Sequence, residues 1–122
     1  MENRNLIAIS IKHTINDCIT GKKWKFGMPF TLWGHRRTAD NESRSFSGYT
    51  YYLNEAELYS LQDWVGKYNV PWMKTDEPVK MSVDICKKYK QFDTVLVALE
   101  DVEAYFRVCG LYTDRPKEAY IF

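Results

Sequence analysis

The amino-acid sequence predicts an α+β fold, a small single domain over residues 1–122 with a mainly antiparallel sheet and two or three helices. Three observations carry that prediction. Ile7, Ile9 and Ile11 alternate with Ala8 and Ser10, and Trp24, Phe26, Met28, Phe30 and Leu32 alternate without a gap; both show the period of two that puts one face of a strand in a core. The acids Glu100, Asp101 and Glu103 open a segment in which Val102, Phe106 and Cys109 share a helical face before Gly110, a start and stop pattern typical of a helix.

Taken in order, the first strand is expected from Leu6 to His13, and a polar linker follows around Asn16, Asp17, Thr20 and Gly21. The second, Trp24 to Leu32, contains Pro29, which cannot donate to a ladder and so marks an edge, a bulge or two short strands meeting. If extended geometry continues, Trp33, His35 and Arg37 project from one face, unless Gly34 bends the chain and re-aims them. Residues 38–45 have turn chemistry, and Phe46 to Leu53 returns as an aromatic strand around Gly48. Leu58, Leu61, Trp64, Val65 and Tyr68 keep helical spacing and favour a short helix near residues 61–68, while Leu58 to Ser60 equally suits the extension of a strand, and Asn69 to Pro78 reads as a connecting loop. Ser82 is the expected N-cap of a helix to about Lys90, Thr94 to Leu99 an apolar strand, and Glu118 to Phe122 a last strand.

Composition narrows function. Hydrophobic residues make up 45% and charged residues 27%, near the averages for globular domains. Aromatics reach 16%, with nine Tyr and four Trp, more rings than a core of this size needs and the type enriched at binding surfaces. The formal net charge is only +1, whereas proteins that grip duplex nucleic acid through many phosphates carry a basic excess, so duplex binding is disfavoured. Cys18, Cys86 and Cys109 are odd in number and widely spaced, without the spacing of a zinc site or redox pair, and read as reduced thiols. No apolar run approaches a membrane span or a signal peptide, so a cytoplasmic location is expected, with no membrane partner.

Two segments carry candidate chemistry. Trp33-Gly34-His35-Arg36-Arg37-Thr38 gathers a ring, a glycine that lets backbone approach, and two guanidinium groups able to hold phosphate oxygens in bidentate fashion; a solvated hairpin tip is the alternative. Arg115 lies in Tyr112-Thr113-Asp114-Arg115-Pro116, where backbone, hydroxyl and guanidinium together can reach an anion, or where Asp114 simply pairs with Arg115. Arg107, near the end of its helix, suits either an anion or the helix dipole. A catalytic constellation is hard to assemble, because His13 and His35 lack the His-x-Ser/Thr spacing of two-histidine phosphodiesterases and no nucleophile elbow, phosphate loop or metal-ligand cluster is present. No catalytic residue, metal or cofactor is assigned.

The stretches Ile7 to His13, Thr31 to Asp40 (Thr-Leu-Trp-Gly-His-Arg-Arg-Thr-Ala-Asp), Arg44 to Thr50, Lys87 to Val97 and Asp114-Arg115-Pro116 together resemble small phage and prophage proteins of the first Thoeris anti-defence family, over nearly the whole chain. That resemblance implies a nucleotide-signal-binding domain in the host cytoplasm. It would act as a sponge that holds glycocyclic ADP-ribose signals from TIR-domain enzymes intact, with some members also holding cyclic oligonucleotides of CBASS immunity at a separate site. It further implies a homodimer or higher homo-oligomer. Adenine suits stacking and diphosphate suits arginine, so ligand binding is expected at Trp33, Arg36, Arg37, Arg107, Asp114 and Arg115, with Phe26, Met28 and Tyr49 as stacking or wall residues. A hydrolase acting on cyclic nucleotides and a protein-interaction inhibitor using the surplus rings are the alternatives.

Overall fold

The computed structural model describes residues 4–15, 23–39, 42–66, 70–73 and 77–115. Its centre is β1 (Leu6–Ser10), buried along its whole length and paired antiparallel with β5 (Thr94–Ala98) in a register running from Leu6↔Ala98 to Ser10↔Thr94. Both strands are apolar because both of their faces are covered. β2 (Leu32–Trp33) adds antiparallel to the other side of β1, and β3 (Tyr49–Thr50) pairs antiparallel with β2. β4 (Trp72–Met73) lies parallel to β5, giving the order β3-β2-β1-β5-β4. A parallel pair needs a crossover, and α3 (Pro78–Lys87) supplies it between β4 and β5. The expected α+β class with a mainly antiparallel sheet is thus observed.

Strand alternation sorts the core into two clusters. Ile7, Ile9, Val95 and Val97 point toward α3 and α4 (Leu99–Val108), where they meet Met81, Ile85, Val102 and Phe106. Leu6, Ala8 and Leu96 point the other way and pack with Tyr59 and Trp64, the latter ending the short helix α2 (Leu61–Trp64), with Trp33 and Phe46 against them. In the first cluster Phe30 is stacked at 5.7 Å on Trp24 and lies 4.6 Å from Tyr105; burying a side chain of that size contributes about 1.5–3 kcal/mol.

Several elements differ from the sequence expectation, each for a visible reason. The first strand stops at Ser10, and α1 (Ile11–Ile15) follows, because Ile11 and Thr14 on one helical face are buried and the Thr14 hydroxyl accepts the Thr31 N–H at 3.0 Å. With α1 and α2 the described residues hold four helices, not two or three. The alternating run from Trp24 is mostly not a strand: Met28 N donates to Lys25 O at 3.0 Å across a turn at Gly27 (φ 101°), and pairing begins only at Leu32. The Phe46–Leu53 strand contracts to Tyr49–Thr50, and the expected loop after Asn69 contains β4. The third helix begins at Pro78, whose missing N–H costs nothing at a helix start, so Ser82 is buried inside the helix and is not its cap. The expected strand at residues 118–122 lies outside the described residues.

Candidate functional site

One buried ion pair shapes the loops that carry the candidate residues. Glu57 is fully buried and its carboxylate accepts from Arg44 Nη1 (2.8 Å), Leu58 N (3.1 Å), Thr38 N (3.3 Å) and Thr38 Oγ1 (2.5 Å). Arg44 extends the network by donating to the carbonyls of Leu58 (3.0 Å), Glu42 (3.0 Å) and Ala39 (2.5 Å). The Tyr59 hydroxyl donates to Ser45 O, and burial, with Glu57 nearby, pushes its phenol well above the ordinary range, which keeps that donor protonated. Gly34 passes this hub at φ 78°, so close that a Cβ there would meet Glu57, which is why only glycine fits. The Arg44–Glu57 pair was not legible from the sequence, where Arg44 is one polar residue of a segment with turn chemistry.

The bend at Gly34 decides where the candidate side chains go. Trp33 stays on the sheet, on the face of Tyr59 and Trp64, whereas Arg37 ends on the side of α4. The Arg37 fork is anchored: Nε donates to Ala56 O at 3.2 Å and Nη2 to Leu53 O at 2.8 Å, which leaves three of the five guanidinium N–H groups without an acceptor among the described residues. Burial lowers this guanidinium from its ordinary value, opposed by Glu103 and Glu57, and the group stays charged near neutral pH. Arg37 shares a cleft of about 490 Å³ with Arg107, Leu53, Asn54, Glu103 and Thr113. Arg107 is exposed and its side chain has no partner among the described residues. The cleft therefore holds two cations against one acid, flanked by an amide and a hydroxyl, a set suited to an anion with several oxygen acceptors.

The other end of that cleft is tied by the segment after α4, where Asn54 N donates to Thr113 O at 2.7 Å. Arg115 lies 3.7 Å from Glu55 and over the Tyr52 ring at 5.3 Å, so its charge is already engaged. Asp114 and Tyr112 are exposed beside Thr113. Among the expected binding residues, Arg37 and Arg107 thus share one cleft, with Asp114 and Arg115 close to its rim in sequence.

The remaining candidates are elsewhere. Trp33 and Tyr49 line a second cavity of about 500 Å³ with Ser10, Lys12, His13 and Thr94, on the opposite face of the sheet from α4. Phe26 is half exposed, edge-on to Tyr105, and lines a third cavity of about 480 Å³ with Trp24, Cys86, Lys23, Lys25 and Lys87. Met28 lines none of these three; its carbonyl accepts the Tyr105 hydroxyl at 2.8 Å and Trp24 Nε1 at 3.3 Å. Arg36 is exposed and also lines none of the three. The expected single site of rings and arginines is therefore divided by the sheet, because Gly34 turns the chain between Trp33 and Arg37.

The histidines are separated too. His13 lines the second cavity with its ring 4.7 Å from Tyr49, whereas His35 packs beneath Gly48 with Nδ1 3.3 Å from Ser47 O. Among the described residues no group of His, Cys, Asp or Glu is placed to hold a metal ion, Cys86 and Cys109 are free thiols, and no helix is long and apolar enough to cross a membrane. Comparison with known proteins finds no match: no family model, no curated protein and no solved structure.

Proposed function

We propose that this protein captures a small phosphorylated nucleotide in the Arg37–Arg107 cleft and holds it intact, as a sponge for glycocyclic ADP-ribose signals that silences the immune response they trigger. The observation that carries the reading is the convergence of two guanidinium groups from distant segments on one cleft, one anchored by the Leu53 and Ala56 carbonyls and the other unpartnered among the described residues. A diphosphate would take the free N–H groups of both, Asn54 and Thr113 would meet ribose hydroxyls, and the exposed Tyr112 ring beside Thr113 is a candidate stacking surface for adenine. Capture needs only complementary contacts, since no bond of the ligand is made or broken. The resemblance described above supplies the identity of the signal.

The test is direct. Incubated with glycocyclic ADP-ribose, the protein should deplete free ligand, and heat denaturation should return it to the supernatant with unchanged mass. Cleaved product in the supernatant, or no depletion before heating, would overturn the reading and favour the hydrolase alternative or the protein-interaction alternative respectively.

A further inference from the structure

The cavity on the opposite face of the sheet is built differently, and nothing in the arginine reading uses it. Its floor is the paired residues Ser10 and Thr94, only 2% and 4% exposed, whose side chains share a face of the β1–β5 ladder about 5 Å apart. Each hydroxyl oxygen already accepts one hydrogen bond, Ser10 Oγ from His13 N at 3.3 Å and Thr94 Oγ1 from Trp33 Nε1 at 2.9 Å. Neither hydroxyl proton has an acceptor among the described residues, so two adjacent buried donors line the cavity floor.

The walls are rings. The Trp33 N–H is spent on Thr94, so the indole offers the cavity mainly ring surface; it stands edge-on to Tyr49 at 5.1 Å, and His13 lies 4.7 Å from Tyr49. Tyr49 is 39% exposed, leaving ring surface at the mouth. Charge then separates ligand classes. The charged lining groups are Lys12 and Asp93, which offset each other, in contrast to the two arginines and one acid of the other cleft. A phosphate finds no excess of cations here, whereas a neutral planar ring with acceptors along one edge finds two donors and aromatic walls.

We infer that this cavity is a second, independent binding site, for an uncharged heteroaromatic molecule of the nucleoside class. The acceptor edge of the base meets the Ser10 and Thr94 hydroxyls, one of its faces lies against the Trp33 indole with the Tyr49 ring closing the mouth at an angle to it, and Asp93 accepts from sugar hydroxyls.

Calorimetric titration of the full chain with adenosine, guanosine, cytidine and uridine, each beside its 5′-monophosphate, tests this. At least one nucleoside is expected to bind saturably and no more weakly than its monophosphate. Trp33→Leu and the pair Ser10→Ala with Thr94→Val should weaken it about tenfold or more, Thr94→Ser should bind as the parent does, and Arg107→Ala should have no effect. Should the double variant lose its circular-dichroism signature of folding, Ser10→Ala alone serves, with the same expectation. Saturable binding by none of the four nucleosides, a monophosphate that binds about tenfold tighter than its nucleoside, or hydroxyl-deleted protein that binds as the parent does would each overturn the site. Because Arg107→Ala separates the two clefts, failure here leaves the arginine reading standing, and the reverse also holds.

Discussion

Glu57 is the residue on which the candidate loops depend. It is fully buried opposite Arg44, whose side chain is 3% exposed and whose Nε has no acceptor among the described residues. Removing one partner of such a pair leaves an uncompensated buried charge, so Glu57→Ala should lower unfolding free energy by about 3–5 kcal/mol in urea denaturation, and a loss under about 1 kcal/mol would contradict the buried-pair reading. Such contacts were not legible in the sequence, because Arg44, Glu57 and Thr38 look like three ordinary polar residues until the turns bring them together. Arg37 and Arg107 were legible by type, as guanidiniums suited to phosphate, but their meeting depends on how the loop after β2 packs on α4. Trp33 and Arg37 would share one face if extended geometry continued, with a bend at Gly34 as the alternative; Gly34, at φ 78°, does bend the chain and sends them to opposite faces. That bend was visible as a glycine, but its direction is set by the Glu57 hub.

At the scale of elements, α2 shows how a very short helix is held. Ser60 and Asp63 form a reciprocal capping box, and Arg4 clamps the Asp63 carboxylate through Nε at 3.1 Å and Nη2 at 3.2 Å. Burial alone would raise the Asp63 carboxyl, but the hydrogen bonds from Arg4 and Ser60 outweigh it and hold the group below its ordinary value. A depressed carboxylate contributes stability above its unfolded pKa and loses it as pH falls through the lower folded value. Asp63→Ala should therefore cost about 1 kcal/mol at neutral pH, and the difference from the parent should shrink below about pH 4. A difference that stays constant or grows on acidification, measured by denaturation across that range, would contradict the assignment. Elements whose signal is local were read from sequence: β1, β5 and α4 fall within a few residues of expectation. The turn at Lys25–Met28 was masked because Trp24 and Phe30 keep a strand-like spacing while stacking on each other across it. β4 was missed because two residues between prolines carry no period; its pairing exists only through the α3 crossover.

For the whole molecule, the five-stranded sheet is a partition: an anion-suited cleft lies on the α4 side and a ring-lined cavity on the α2 side. Exposed Val108 and Tyr112 near the arginine cleft, and Trp72 on the edge strand β4, offer apolar surface for the homo-oligomer that the sequence led us to expect. Light scattering should then give a particle of at least twice 14.4 kDa, and a mass of 14.4 kDa alone would contradict it. The central claim concerns the arginine cleft, and calorimetric titration with glycocyclic ADP-ribose tests it most directly. The parent protein should bind saturably, Arg37→Leu and Arg107→Leu should each weaken binding about tenfold or more, and Trp33→Leu should leave it unchanged. Binding that survives loss of both arginines, or that vanishes with Trp33 alone, would contradict the account.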